Sequence, residues 1–212
     1  MRVFEEVFGK KIYAFQTANK FPLILDLGAN IGISILFFKR NFPEARILAF
    51  EPDPRTFEVL QHNVKINGWK NIELHNLAVS DREGEIDFYT DPTGNFSLES
   101  SVYGARVPGA VKRRVKAAPL SRFLNHPVDF IKMDIEGSEG LVLKELASSG
   151  RLGKIGAMAV EYHHHLLPDE DALASFLKIF EDSGFSYKVF APFEHPDSGK
   201  HFQDILIHSR RK

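Results

Sequence analysis

The chain has 212 residues, 43% of them hydrophobic, and 27 Lys and Arg against 28 Asp and Glu give a formal net charge of −1. That length can bury a sizeable core as one α/β domain, and near-neutral charge excludes a global basic field for nucleic acid or an anionic membrane surface. The absence of cysteine excludes disulfides, thiolate metal sites and a cysteine nucleophile together.

The opening Met1-Arg2-Val3-Phe4-Glu5-Glu6 lacks the unbroken apolar core of a signal peptide, and no later apolar run is long enough to span a bilayer. A cytoplasmic protein without a membrane partner is expected, with residues 1–20 as an N-terminal extension and 21–212 as one domain. Leu23 to Leu27 reads as a strand, Ile31 to Asn41 as a helix and Arg46 to Glu51 as a second strand. A second helix runs from Pro54, well placed in a first turn, to Asn67. Asn71 to Leu77 is the third strand, and Glu85 to Thr90 is a short alternating segment after the turn Asp81-Arg82-Glu83-Gly84. Val128 to Asp134 is a fourth core strand, Ser138 to Ser149 a helix, Ile155 to Tyr162 a fifth strand, and Pro168 to Ser183 a helix stopped by Gly184. Phe185 to Phe190 and Phe202 to His208 are the last strands. Such alternation predicts an α/β fold, a doubly wound and largely parallel sheet that binds ligands at the carboxyl ends of its strands.

The turn after the first strand, Asp26-Leu27-Gly28-Ala29-Asn30-Ile31-Gly32, has the form of a nucleotide-cofactor loop. The dinucleotide fingerprint needs glycines at 28, 30 and 33, where this chain has Gly28, Asn30 and Ile33, and a P-loop fails at Ile33 as well. The looser G-x-G-x-G loop of S-adenosylmethionine enzymes remains, with Asn30 in the middle place, since Asn tolerates a left-handed backbone. A tight turn without a ligand is the bland alternative. Glu51, at the end of the second strand, can accept from both hydroxyls of a ribose, which does not separate S-adenosylmethionine from NAD; a surface pair with Arg55 is its plain alternative.

In extended conformation Lys132, Asp134 and Glu136 share one side of a strand expected to be buried on both. Buried carboxylates need partners, so this side faces a cationic ligand, a metal or Lys132. Ser138 and Glu139 read as a helix cap and a dipole-compensating first turn. Glu161 and His163, two apart, share a side at the end of the fifth strand. Removing a proton from an acceptor hydroxyl needs a base, and His163 is expected as base or acceptor-orienting group, with Glu161 orienting it or pairing with Lys132. His163 and His165 also share a face, so a divalent metal with Asp134 or Glu136 is chemically conceivable, but the spacing is nonspecific and no metal is expected.

Four ordered blocks carry a family resemblance: Asp26 to Gly32, Phe50-Glu51-Pro52, Ile131 to Glu139, and Val160-Glu161-Tyr162-His163. Together they resemble the FkbM family of S-adenosylmethionine-dependent methyltransferases over roughly residues 20 to 190. The resemblance implies a seven-stranded sheet in the order 3-2-1-4-5-7-6 with a reversed last strand. It implies O-methylation of a hydroxyl on a sugar, polyketide or other small molecule, with S-adenosylhomocysteine as the cofactor product. Carried onto this chain, it gives Asp26, Gly28, Asn30, Gly32, Glu51, Pro52, Ala78, Val79, Asp134 and Glu136 as cofactor-binding, and His163, Glu161 and Asp134 as catalytic. The stretch from Asp91 to Pro119 carries no motif of that kind. Within it, Gly94 to Lys116 reads as a polar, then basic loop whose Lys112-Arg113-Arg114-Val115-Lys116 would suit an anionic acceptor, or else be a solvated face. Phe96 and Tyr103 could stack on an acceptor. No Asn or Asp before Pro-Pro and an aromatic follows the fourth strand, which argues against methylation of a nucleobase. A nicotinamide-dependent oxidoreductase and a noncatalytic nucleotide-binding module are the other classes the loop admits.

Overall fold

The computed structural model describes residues 2–90, 109–164, 172–191 and 203–212. Ten strands and four main helices alternate along them: β1 (Leu23–Leu27), α1 (Ile33–Asn41), β2 (Arg46–Phe50), α2 (Pro54–Ile66), β3 (Ile72–His75), β4 (Ala78–Ser80), β5 (Gly84–Thr90), β6 (Val111–Pro119), β7 (Val128–Met133), α3 (Glu139–Ser148), β8 (Ile155–His164), α4 (Leu173–Asp182), β9 (Phe185–Phe190) and β10 (Gln203–Arg211). Seven strands form the main sheet in the order β3-β2-β1-β7-β8-β10-β9. Pairing is parallel from β3 through β8, and β10 runs antiparallel to both neighbours. Counted along this sheet alone, that is the expected order 3-2-1-4-5-7-6 with the last strand reversed.

The period of two along the strands divides the core between two helical layers. Leu25, Leu27, Leu48, Phe50, Ile131 and Met133 face α3 and α4. Ile24, Ile47, Ala49 and Phe130 face the other way, against Phe37, Phe38 and Leu60 of α1 and α2. Phe38 and Phe130 are fully buried and meet edge to face at 5.8 Å, and burying each ring stabilises the fold by about 2–3 kcal/mol. The N-terminal segment joins this second layer through Val7 and Tyr13, with Phe8 on Phe37 and Phe15 on Phe130.

Three expectations change. The α1 helix starts at Ile33 and not Ile31, because Asn30 (φ 50°) and Gly32 (φ 96°) are left-handed and a right-handed helix cannot run through them. β3 stops at His75, and Asn76 turns its amide back to the carbonyls of Glu51 and Pro52 at 2.9 and 3.0 Å. Residues 111–119 are a strand and not loop: β6 pairs antiparallel with β5 and parallel with β4 in a separate three-stranded sheet. Val115 and Ala117 turn inward onto Phe88 and Ala78, while on the opposite side Lys112 lies 2.7 Å from Asp87 and Arg114 lies 3.6 Å from Glu85. The charges conceal a period-two strand whose Lys112 and Arg114 are engaged by its antiparallel partner β5. Gly94, Phe96, Tyr103 and Arg106 lie outside the described residues, as do His165, Pro168 and Phe202. Among the described residues no helix is long and apolar enough to cross a membrane.

Candidate active site

The turn from β1 into α1 lies at the carboxyl edge of the sheet, where its neighbours β2 and β7 also end. Each amide from Gly28 to Gly32 already has an acceptor inside the protein. Gly28 and Ala29 donate to the Phe50 carbonyl at 3.0 and 2.9 Å, Asn30 to Glu51 Oε2 at 3.0 Å, Ile31 to Asn30 Oδ1 at 2.8 Å and Gly32 to the Ala29 carbonyl at 2.9 Å. A pyrophosphate cradle works by pointing such amides at the ligand, and these are spent. Gly28 is required by its own neighbours: a Cβ there would fall 1.9 Å from the Asp134 carbonyl oxygen, at φ 76°. The glycine therefore makes room for the end of β7 against the loop.

Lys132 holds that contact together. Its ammonium is buried and donates to the carbonyls of Leu27 at 3.1 Å and Gly28 at 2.5 Å, with Asp26 Oδ1 and Asp134 Oδ2 each 3.6 Å away. Burial works to lower its pKa, but Asp134, Asp26, Glu161 and Glu51 outweigh burial and hold it above the ordinary lysine value. Asp26 is completely buried, takes the Ser34 hydroxyl at 2.5 Å, and is pushed up by burial even against the charge of Lys132. It ties β1 to α1 and β7.

Glu51, expected at the ribose, is buried at the end of β2. Its two oxygens take the amides of Asn30 and Asp53, at 3.0 and 2.9 Å, which leaves each oxygen a second lone pair. Burial pushes it up to about 7, against the pull of those two amides. Arg55 pairs with Asp53 at 4.0 Å. Pro52 beside it is half-buried. Ala78 and Val79 lie in β4, with their side chains packed into the cores.

At the ends of β7 and β8 the carboxylates collect around one imidazole. His163 is 5% exposed, with Nδ1 2.9 Å from Glu139 Oε1 and Nε2 3.3 Å from Glu136 Oε2; Asp204 Oδ1 of β10 is 3.8 Å and Asp134 Oδ1 4.0 Å from Nε2. Glu136 reaches this position with a left-handed backbone, φ 57°, after the strand has ended at Met133, and not as a continuation of β7. Asp134, Glu136 and His163 each bring one ligand-capable atom within 4.8 Å of the others. Glu161 joins the same field: Asp134 first, and then burial, push it up to about 8, while His163 and Lys132 pull the other way. Lys132, Asp134, Glu136, Glu161 and His163 thus gather at the ends of β7 and β8, with Glu136 brought there by the turn and not by the strand.

Glu139 is a site residue that sequence reasoning missed. It was read as a dipole charge, but its carboxylate is buried and turns back to take the amides of Ile135 and Gly137 at 3.2 and 3.1 Å as well as the His163 ring. The Glu-Gly-Ser-Glu spacing, short enough for a carboxylate to reach back over a glycine turn, was the available signal. Asp204 gave none, because only the antiparallel register of β10 on β8 sets it opposite His163.

Residues 26–187 match the family model described as the methyltransferase FkbM domain. The chain belongs to the FkbM family of methyltransferases. It is 30% identical over 173 residues to methyltransferase sdnD of Sordaria araneosa, covering 67% of each chain. It is 38% identical over 140 residues to the 2-O-methyltransferase NoeI of Sinorhizobium fredii, covering 58% of this chain and 56% of that one. Among solved structures, a methyltransferase FkbM of Methylobacillus flagellatus shares the fold at TM-score 0.60 and 19% identity, over 92% of this chain. The chain spans only 45% of that protein's length. A nicotinamide-dependent oxidoreductase is not favoured by the family match, and the spent loop amides agree.

Proposed function

We propose that this FkbM-family chain uses S-adenosylmethionine to methylate a hydroxyl on a small molecule such as a sugar or natural product. The observation that carries the reading is the loop whose amides are all internally bonded, set among Glu51, Asp134 and Glu161. Such a site repels a pyrophosphate and suits a ligand with an ammonium and a sulfonium. The 2-O-methyltransferase relative supports oxygen as the acceptor atom. Glu51 and Pro52 would hold the ribose end, Ala78 and Val79 would border the adenine through their backbone, and Gly28 to Gly32 with Asp134 and Glu136 would face the methionine end. Asp26 serves at one remove, by fixing Ser34 and Lys132.

When bound, S-adenosylmethionine supplies an electrophilic methyl group and leaves as S-adenosylhomocysteine. Glu161 takes the acceptor's hydroxyl proton, being half-buried and poised near the working pH. His163 orients: its two ring nitrogens face the Glu139 and Glu136 carboxylates, at 2.9 and 3.3 Å, and hold the acceptor side of the site in shape. Asp134, between Lys132 and His163, places negative charge beside the methyl donor.

S-adenosylhomocysteine should raise the melting temperature, and NAD and NADP should not; stabilisation by a nicotinamide cofactor alone would overturn the reading. Glu51→Ala should lower S-adenosylhomocysteine affinity at least about tenfold, as expected for lost hydrogen bonds to a charged group. In the wild type that affinity should rise with pH through about 7, because the carboxylate that accepts from both ribose hydroxyls is the ionised one. Transfer of a labelled methyl group to a panel of hydroxyl compounds tests the chemistry. We propose transfer without a metal, because the His163–Glu136 contact already closes the Asp134, Glu136 and His163 group. Turnover should survive EDTA, and loss reversed by magnesium would refute that part.

A further inference from the structure

The family match begins at residue 26, yet a segment before it reaches the site. Residues 13 to 19 lie along β7 in the reverse direction, anchored at successive points. Thr17 and Asn19 donate to the Asp129 carboxylate, each at 3.0 Å, and the Phe15 ring stacks on Phe130 at 4.3 Å and 7°. Beyond Phe15 the chain makes a tight turn, with Lys11 left-handed at φ 56° and the Ala14 amide donating to the Lys11 carbonyl at 2.9 Å. Tyr13 projects from that turn. Its hydroxyl donates to Asp134 Oδ2 at 3.5 Å, and its ring face lies 5.6 Å from the Lys132 ammonium.

We propose that Tyr13 is a positioning residue of the methyl-transfer site, delivered by the N-terminal strap to fix the Asp134 carboxylate. Asp134 Oδ2 is shared between this phenol and Lys132, while Oδ1 faces His163. Without the hydroxyl, Lys132 is the remaining partner of Oδ2 among the described residues, and the carboxylate is free to turn away from the ligand side. Burial first, then Asp134, Glu161 and Asp26, keep the phenol far above its usual pKa, so at working pH it remains a donor. Four anchored positions along 13–19 are more than is needed to cover hydrophobic surface, and they set one hydroxyl at one carboxylate.

The proposal rests on the functional reading of Asp134. The test measures S-adenosylmethionine and S-adenosylhomocysteine affinity by calorimetry, with melting temperature in parallel, on the full chain. Tyr13→Phe removes only the hydroxyl and should leave melting unchanged while weakening S-adenosylmethionine binding about tenfold, the size expected of a hydrogen bond to a charged group. On an Asp134→Asn background the same substitution should cost less than on the wild type, the coupling expected if Tyr13 acts through Asp134. Thr17→Val, at the far anchor, should weaken binding in the same direction by less. Unaltered affinity in Tyr13→Phe, or equal losses on both backgrounds, overturns the proposal. A wild-type chain that binds neither ligand overturns instead the functional reading, and the proposal with it.

Discussion

Lys132→Met lowers the stability of the chain by about 3–5 kcal/mol, measured by chemical denaturation at pH 7. Removing one member of a buried pair leaves an uncompensated charge, which is costly on that scale. Here the orphan is Asp26, which is 0% exposed and has only the Ser34 hydroxyl as a remaining partner among the described residues. The carbonyls of Leu27 and Gly28 lose their donor in the same step. Adding Asp26→Asn to Lys132→Met should recover at least about half of the loss, because the buried charge goes with it. The sign with pH follows from the raised pKa of Lys132: its contribution is fully present below about pH 10, the unfolded lysine value, and disappears as pH rises through the higher folded one. A stability change below about 1 kcal/mol would mean that the ammonium is not what joins the loop to β7.

Glu161→Gln lowers kcat by about 10²–10⁴-fold with little change in S-adenosylhomocysteine affinity, as loss of a general base does. In the wild type, kcat/KM should rise with pH through an inflection near 8, where the Glu161 carboxyl loses its proton, and level off above it. Asp134 is the largest cause of the raised Glu161 pKa, so Asp134→Asn should move the inflection downward by removing that neighbouring charge. Glu161→Gln should abolish it. A profile that keeps its inflection in Glu161→Gln would assign the base elsewhere. His163→Gln would then be the next variant, because that ring lies 4.0 Å from Asp134 and 3.3 Å from Glu136.

The α/β alternation was legible because each main-sheet strand announces itself as a short apolar or alternating run between turn residues, whereas the strand order came only with the family resemblance. The four motif blocks predicted the family over roughly residues 20 to 190, and the family model matches 26–187. The spacing of Gly28, Asn30 and Ile33 already argued against a phosphate seat, and the bonded amides supply the physical cause. The second sheet was misread because β4 has three residues and β6 opens on the basic run Lys112-Arg113-Arg114 with Lys116 after it, so short length and charge hid a strand whose partners are remote in sequence.

By itself the sequence determined the α/β alternation, the family and the residues that gather at the strand ends, since local periodicity and motif spacing are properties of neighbouring residues. Tertiary structure alone decided what each of them does. Gly28 is a glycine because β7 lies against it, and Asp26 braces β1 against α1 and β7 because it is sealed between Ser34 and Lys132. His163 sits between Glu139 and Glu136, and Tyr13 reaches Asp134, because contacts between residues far apart in the chain form only when the sheet assembles and the strap lies down on it. Charge pairing and burial depend on distance in space, which no spacing along the chain records.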